Sequence, residues 1–447
     1  MQTFSSGFAY WRRRIDWPLM IAVGVLLSVG MIAVYSAVSP MGSAQRYMFK
    51  QTTAIVLGMA ILFVLSNLNY QLFRSHPGVL YALTILLLVA VMVIGKRIYG
   101  AKSWIVLGPF SFEPVELAKI GFVLVLAGWL DRPEIEISSW RVIAAAFGLA
   151  AGHMLLILKA PDLGGTLVYP PIVMSLLFFA GVRPLYLLAL IFFGGVAVGI
   201  PVISIYFSVQ PQLLHLHPIL NFFAASAKEI RVAIEMVFLA AAGIFTLWWF
   251  LRKFQFRIPW QYPLFLSLIV ALGVMTAQVA EHSIKDYQRK RIVVFLSPSF
   301  DPLGAGYNIT QSVIAVGSGR IFGKGLFSGS QTQLGFLPAK HTDFIFSVIG
   351  EELGFMWACI ILGALGVIVW RAFMIAAECQ DRYGALVAVG LGCLIGFESV
   401  VNIGMVLGLL PITGVALPFV SYGGSHILTS LMSVGLLQSV NFRRYIY

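Results

Sequence analysis

A chain of 447 residues with 59% hydrophobic types and only 11% Asp, Glu, Lys and Arg is not a soluble globular protein, in which charged residues make up about 25%. Its mean hydropathy of +0.91 places it in a bilayer. The net charge of +12 invites a nucleic-acid reading, but the basic residues stand singly or in threes at the ends of apolar runs, where membrane anchoring accounts for them better.

Read in order, the chain opens with Arg12, Arg13 and Arg14 ahead of an apolar run from Trp17 to Val38. That run is longer than a signal-peptide core, so it reads as an uncleaved first span. Apolar runs near 17–38, 50–68, 77–95, 116–131, 139–158, 163–182, 184–206, 231–251, 260–280, 342–370, 384–410 and 422–441 predict about twelve helical spans. Pro170 and Pro171 predict a kink or break in the sixth. The class is all-α, a polytopic bundle of about 10–12 spans, because lipid offers no partner for unpaired backbone groups. No soluble domain stands out. Placing both termini in the cytoplasm keeps Arg12 to Arg14, Arg74, Arg132, Arg141, Arg183, the Arg252–Lys253–Arg257 cluster, Arg371, Arg382, Arg443 and Arg444 on that side. The 96–115 and 281–341 loops then face outward, with Lys96, Arg97 and Lys102 mildly opposed.

The cysteines, Cys359, Cys379 and Cys393, have no metal-binding spacing and read as buried apolar residues. The His215–His217 pair reads as ordinary loop. Glu116 and Lys119, spaced i, i+3 at the start of a span, share a helix face and can pair with each other or line a polar cavity. Pro114 suits that helix start. Lys159 and Asp162 flank Pro161 in an outward turn, and Glu235 and Glu398 are candidates for pairing across helices.

The stretch from Glu281 to Glu352 is far longer than an ordinary connection. Its glycines and prolines, interleaved with aromatic and aliphatic residues, predict a folded loop. Gly317–Gly325 resembles a phosphate loop superficially, but fits neither GxGxxG nor GxxxxGK[ST]. Asp301, among Pro298, Phe300, Pro302, Gly304 and Tyr307, is either a general base whose pKa an apolar setting raises or an Asx-turn residue that shapes the loop. Thr342–Asp343 is a candidate helix cap.

These residues carry a family likeness. Gly100–Trp104, Phe112–Glu116 with Lys119, Pro161–Gly164, Asp301–Tyr307 with Gln311 and Ser312, His341–Phe346 with Gly350–Glu352, and Asn402–Pro411 leading to Pro418–Gly424 together resemble the SEDS family (shape, elongation, division and sporulation), the RodA and FtsW peptidoglycan glycosyltransferases. Gly329–Pro338 looks like the RodA, elongation, branch. Glu113 and Val115 depart from the family's usual Gln and Ser. The 207–280 region is the surplus over the family's usual ten spans and reads as an insertion.

The resemblance implies polymerisation of lipid II on the outer face of the bacterial cytoplasmic membrane, with inversion and release of undecaprenyl diphosphate. Asp301 becomes the catalytic base, taking the proton from the acceptor 4-hydroxyl. Arg291, Lys324 and Lys119 are the candidate cations for the leaving diphosphate. Trp104, Glu116, Asp162, His341, Asp343 and Ser421 are expected to shape or line the substrate cavity. The partners implied are a class B penicillin-binding protein and the elongation machinery. No metal-ligand cluster demands a cofactor, although a divalent cation, Mg or Mn, could bridge the diphosphate. A lipid II flippase, a division-type polymerase and an activating scaffold are the competing readings.

Overall fold

The computed structural model describes residues 15–98, 101–107, 110–137, 139–209, 218–302 and 304–444; His215 and His217 lie outside them. The chain is a polytopic helical membrane protein, in which ten of the described helices are long and apolar enough to cross a bilayer. It divides into two compact units, residues 1–182 with 308–447 and residues 183–307.

The first unit begins with α1 (Trp17–Val38), whose Leu19, Leu26 and Val34 are completely buried. Asp16 fixes its start. One carboxylate oxygen accepts from the Leu19 N–H at 3.1 Å, and the group pairs with Arg371 at 2.6 Å. After α2 (Ala44–Asn67) and α3 (Pro77–Ile94) comes a small antiparallel sheet of β1 (Lys96–Ile98), β2 (Ala101–Leu107) and β3 (Phe110–Phe112). Trp104 lies opposite Lys96, and Ile105 opposite Phe112. Hydropathy had marked this interval only as a loop. α4 (Pro114–Leu130) follows with Pro114 in its first turn, as expected; then come α5 (Trp140–Lys159), the five-residue α6 (Leu163–Leu167) and α7 (Tyr169–Ala180). The predicted break in the sixth span falls at Val168, two residues before Pro170.

The second unit holds α8 (Pro184–Val209), α9 (Pro218–Lys228), α10 (Ile230–Lys253), α11 (Gln261–Ser283) and α12 (Asp286–Leu296). Ile200, Ala227, Met236, Val274 and Ala277 form its core. Glu281 is buried there, and its carboxylate is met by Arg289 at 2.7 Å. Exposed Glu235 pairs within its own helix, with Arg231.

The long loop is folded, as its composition predicted, carrying α13 (Ala305–Ser318), the one-turn α14 (Ser330–Gln333) and α15 (Ile345–Glu352). Here one predicted span needs correcting. The 342–370 run is two helices, α15 and α16 (Gly354–Glu378), broken because Gly354 takes a left-handed φ of 81°. A Cβ there would overlap the Gly323 nitrogen, and one on Gly323 the Glu352 carbonyl, so both positions demand glycine. The N–H groups of Lys324 and Gly325 donate to the Glu351 and Glu352 carbonyls at 2.9 and 3.0 Å. The glycine-rich stretch that failed the nucleotide test thus satisfies carbonyls orphaned at a helix break.

α17 (Arg382–Val406) and α18 (Gly424–Arg443) complete the first unit. α18 is too polar to stand among the ten apolar helices, yet nearly all of it is buried. Its hydroxyls bond to their own helix: Thr429 to the Ser425 carbonyl at 3.0 Å, Ser430 to the His426 carbonyl at 2.7 Å. Gly435 lets it approach the Leu62 backbone on α2, where an added Cβ would lie 3.0 Å away.

Candidate active site

Asp301 follows a single 3-10 turn, Pro298–Phe300, and stands just before α13. Its Oδ2 accepts from the Ala305 N–H at 3.1 Å and from Lys290 Nζ, on α12, at 3.0 Å. A Cβ on Gly304 would lie 2.8 Å from the Asp301 carboxyl carbon, and one on Gly306 2.7 Å from its carbonyl oxygen. Gly304 therefore lets backbone approach the carboxylate, and Gly306 lets the start of α13 pack on the Pro298 and Asp301 carbonyls. The side chain is 18% exposed. The expectation of a raised pKa is not met: the Lys290 hydrogen bond, with the Ala305 and Gly304 N–H groups, outweighs desolvation and holds the carboxyl below the usual range. Asp301 is thus both a shaping residue and an ionised carboxylate. Arg291 is the next residue on α12, half-buried and without an ion pair among the described residues. Successive helical residues point about 100° apart, and it is Lys290 that faces Asp301.

In the first unit, three helices deliver charges to one buried point. Lys119 Nζ donates to Glu116 Oε1 at 2.8 Å, and also to Glu398 on α17. His426 Nδ1, on α18, lies 3.1 Å from Glu116 Oε2. The predicted i, i+3 pair forms, and the suggested cross-helix role for Glu398 is realised. The cavity lined by Glu116, Glu398, Thr429, Ser430 and Ser433 measures only about 10 Å³, no more than one water. Ligand atoms of Glu116, Glu398 and His426 lie within 4.8 Å of one another, a separation a metal could bridge. The Lys119 ammonium already supplies the cation to both carboxylates, so the donor set does not fit an additional ion.

Near this cluster, Glu113 precedes α4 and donates its N–H to Ser425 Oγ at 2.8 Å. Burial, then the nearby charges of Glu116 and Asp162, pushes its carboxyl well above the ordinary range, with Lys119 opposing. The neutral acid so favoured has the shape of the Gln expected at this position. Asp162 caps α6, accepting from the Gly165 N–H at 2.9 Å, and a Cβ on Gly165 would lie 2.8 Å from Val115 Cγ1. Asp343 belongs to the same electrostatic neighbourhood. Its carbonyl accepts from Asn402 Nδ2 at 2.9 Å, and the same amide reaches the Val415 carbonyl at 2.7 Å. The structure therefore gathers Glu116, Lys119, Asp162 and Asp343.

Ser421 is fully buried; it donates to the Thr342 carbonyl and accepts from the Leu417 N–H, each at 2.8 Å. It ties two chain segments together and leaves no hydroxyl hydrogen for a ligand. His341 packs edge-on against Tyr47 and Tyr422, with centroids 5.2 and 5.5 Å away. Burial, then Lys340, holds its pKa below the usual histidine value. Lys324 pairs with Glu351 at 2.9 Å. Glu351 is completely buried and also accepts from Ser330, Gln331 and Thr332; these donors outweigh desolvation and lower its pKa. Two of the three cations expected to meet the diphosphate, Lys119 and Lys324, are thus engaged by carboxylates within the protein. Trp104 is half-buried on β2.

A family model described as "Cell cycle protein", covering FtsW, RodA and SpoVE, matches residues 17–229 and 230–446. The chain belongs to this family. Among FtsW/RodA/SpoVE proteins it is 34% identical over 436 residues to a peptidoglycan glycosyltransferase RodA of Treponema pallidum, covering 96% of this chain and 98% of that protein. It is 32% identical over 437 residues to a probable peptidoglycan glycosyltransferase FtsW of Trichlorobacter lovleyi, covering 95% and 93%. A solved chain from a peptidoglycan synthase complex, described for the coordination of polymerization and crosslinking, superposes with a TM-score of 0.68 at 27% identity, over 96% of this chain and 98% of that one.

Sequence reasoning missed Lys290 and His426, and marked Glu113 only as a departure from the family's usual Gln, without its partner Ser425. Lys290 was visible only as one of several bases in the 289–291 run, and His426 only as a polar residue in a span. The partners of Lys290, Glu113 and His426 lie 11, 312 and 310 residues away in sequence, beyond the reach of spacing rules.

Proposed function

We propose that this chain is a peptidoglycan glycosyltransferase that polymerises lipid II during cell elongation, with Asp301 as its general base. The observation that carries the reading is the Asp301 carboxylate, held ionised by Lys290 and met by the Gly304 and Ala305 N–H groups, in a family whose relatives bear that activity in their names. An ionised carboxylate can accept the proton of the acceptor 4-hydroxyl as that oxygen attacks the donor's anomeric carbon with inversion. The diphosphate leaves with little need for a proton. Lys290 stands beside the base as a further cation, and Arg291 is the candidate for the leaving group that has no internal carboxylate.

The Glu116–Lys119–Glu398–His426 cluster holds α4, α17 and α18 together, and Glu116 and Lys119 share the electrostatic neighbourhood of Glu113 with Asp162 and Asp343. Its mutual neutralisation favours this holding role over a transport path, and so the polymerase over the flippase. The setting is the bacterial inner membrane, with both termini cytoplasmic. The partner is a class B penicillin-binding protein, as a relative solved within a synthase complex suggests. Purified protein given lipid II tests the reading: glycan strands form, and Asp301→Asn stops them, whereas lipid II translocation without polymer would overturn it.

A further inference from the structure

The turn joining α10 to α11 plays no part in the site above. α10 ends in a tight reversal in which Gln255 takes φ 66° and the Phe256 N–H donates to the Leu251 carbonyl at 3.3 Å, the six-to-one bond of a Schellman cap. The Trp248 indole N–H reaches across to the Ile258 carbonyl at 2.8 Å and pins the far side of the turn to the helix. On this fixed frame stand Arg252, Lys253 and Arg257, all exposed. No carboxylate pairs with any of them among the described residues, and residues 236–280 contain no Asp or Glu.

Two of the cations are not free to wander. The Arg252 guanidinium carbon lies 4.9 Å from the Trp248 ring centre, and Lys253 Nζ lies 3.9 Å from that of Trp249. A ring beneath a guanidinium occupies its face and leaves the N–H edge available, the edge that grips a phosphate. Trp249, Phe254, Phe256 and Trp260 are each more than half exposed around it. Aromatic side chains at this level belong to the headgroup boundary of a bilayer.

We propose that this turn is a binding site for the phosphate of an anionic phospholipid, with Arg252, Lys253 and Arg257 as its ligands. Charge complementarity selects an anion, and the exposed aromatic rim selects one carried on a lipid. The proposal rests on the chain lying in a membrane and not on the glycosyltransferase reading, and the test below reads lipid binding alone.

The experiment is native mass spectrometry of the full-length protein in detergent, titrated separately with phosphatidylglycerol and phosphatidylcholine. Phosphatidylglycerol is expected to bind, and phosphatidylcholine far less. At about fivefold per basic side chain, the triple substitution Arg252→Ala, Lys253→Ala, Arg257→Ala weakens phosphatidylglycerol binding on the order of 100-fold. Replacing Arg132, Arg141 and Arg183 by Ala leaves it unchanged. Trp248→Phe, which keeps a ring but removes the bond to Ile258, weakens it several-fold. Equal binding of both lipids, or equal loss in the two triple variants, overturns the proposal. So does displacement of the lipid by an equal concentration of inorganic phosphate, which would assign the site to the free ion.

Discussion

With Lys290 bonded to Asp301 at 3.0 Å, the carboxylate stays ionised to lower pH than a free aspartate. The acid limb of its pH–rate profile should therefore lie below the ordinary carboxylate range. Lys290→Met removes the main cause of that shift, and the limb should move to higher pH in a profile of lipid II polymerisation; an unmoved limb would detach Lys290 from the base. Glu113 makes the opposite case. Its folded-state pKa is raised, so the stability it contributes is present below its unfolded value and is lost as pH rises through the folded one. Glu113→Gln should be neutral in acid and increasingly stabilising relative to the parent as pH rises, read as the difference in thermal midpoint across a pH series. Neither residue's state was legible in the sequence. The aromatic company of Asp301 pointed upward in pKa, and the lysine that reverses it comes from a separate helix.

At the scale of elements, hydropathy located the spans well, because burial in lipid requires long apolar runs whatever their partners. It failed where tertiary contact overrides composition. The 342–370 run is apolar throughout, yet Gly354 ends one helix and starts the next because segment 319–325 packs into the gap. Gly354→Ala forces a left-handed φ on a residue with a Cβ, costing at least about 1–2 kcal/mol, and adds a steric overlap. The expected result is a lower thermal midpoint and faster proteolysis between residues 319 and 333. α18 shows the reverse failure: it is polar in sequence and buried in structure, since its serines and threonines bond to their own carbonyls. The strands before α4 were also hidden: β1 and β3 are three residues each, too brief for a period to register, and the seven-residue β2 ends in an unbroken Trp104–Leu107 run with no alternation.

For the molecule as a whole, the charged cluster is the test of how the first unit is held. Lys119 joins α4 to α17, and Glu116 joins α4 to α18. Breaking a buried pair by removing one partner costs about 3–5 kcal/mol, because the other charge is left uncompensated. Lys119→Met should therefore be strongly destabilising, and adding Glu116→Gln with Glu398→Gln should recover much of the loss. Additive deficits in the thermal melt of the triple variant would contradict mutual neutralisation. The i, i+3 half of this cluster was readable from helix geometry; Glu398, 279 residues from Lys119, was readable only as a charge in need of a partner. The family likeness, carried by long motifs spread over most of the chain, identified Asp301, but not what surrounds it.

The central claim is that Asp301 is the base. The most direct measurement is glycan-strand formation from lipid II by purified protein and by Asp301→Asn, with folding of both checked by thermal melting. The variant is expected to fold, with its rate lower by at least about a hundredfold, the usual loss on removing a general base. A folded Asp301→Asn protein that polymerises at the parent rate would contradict it.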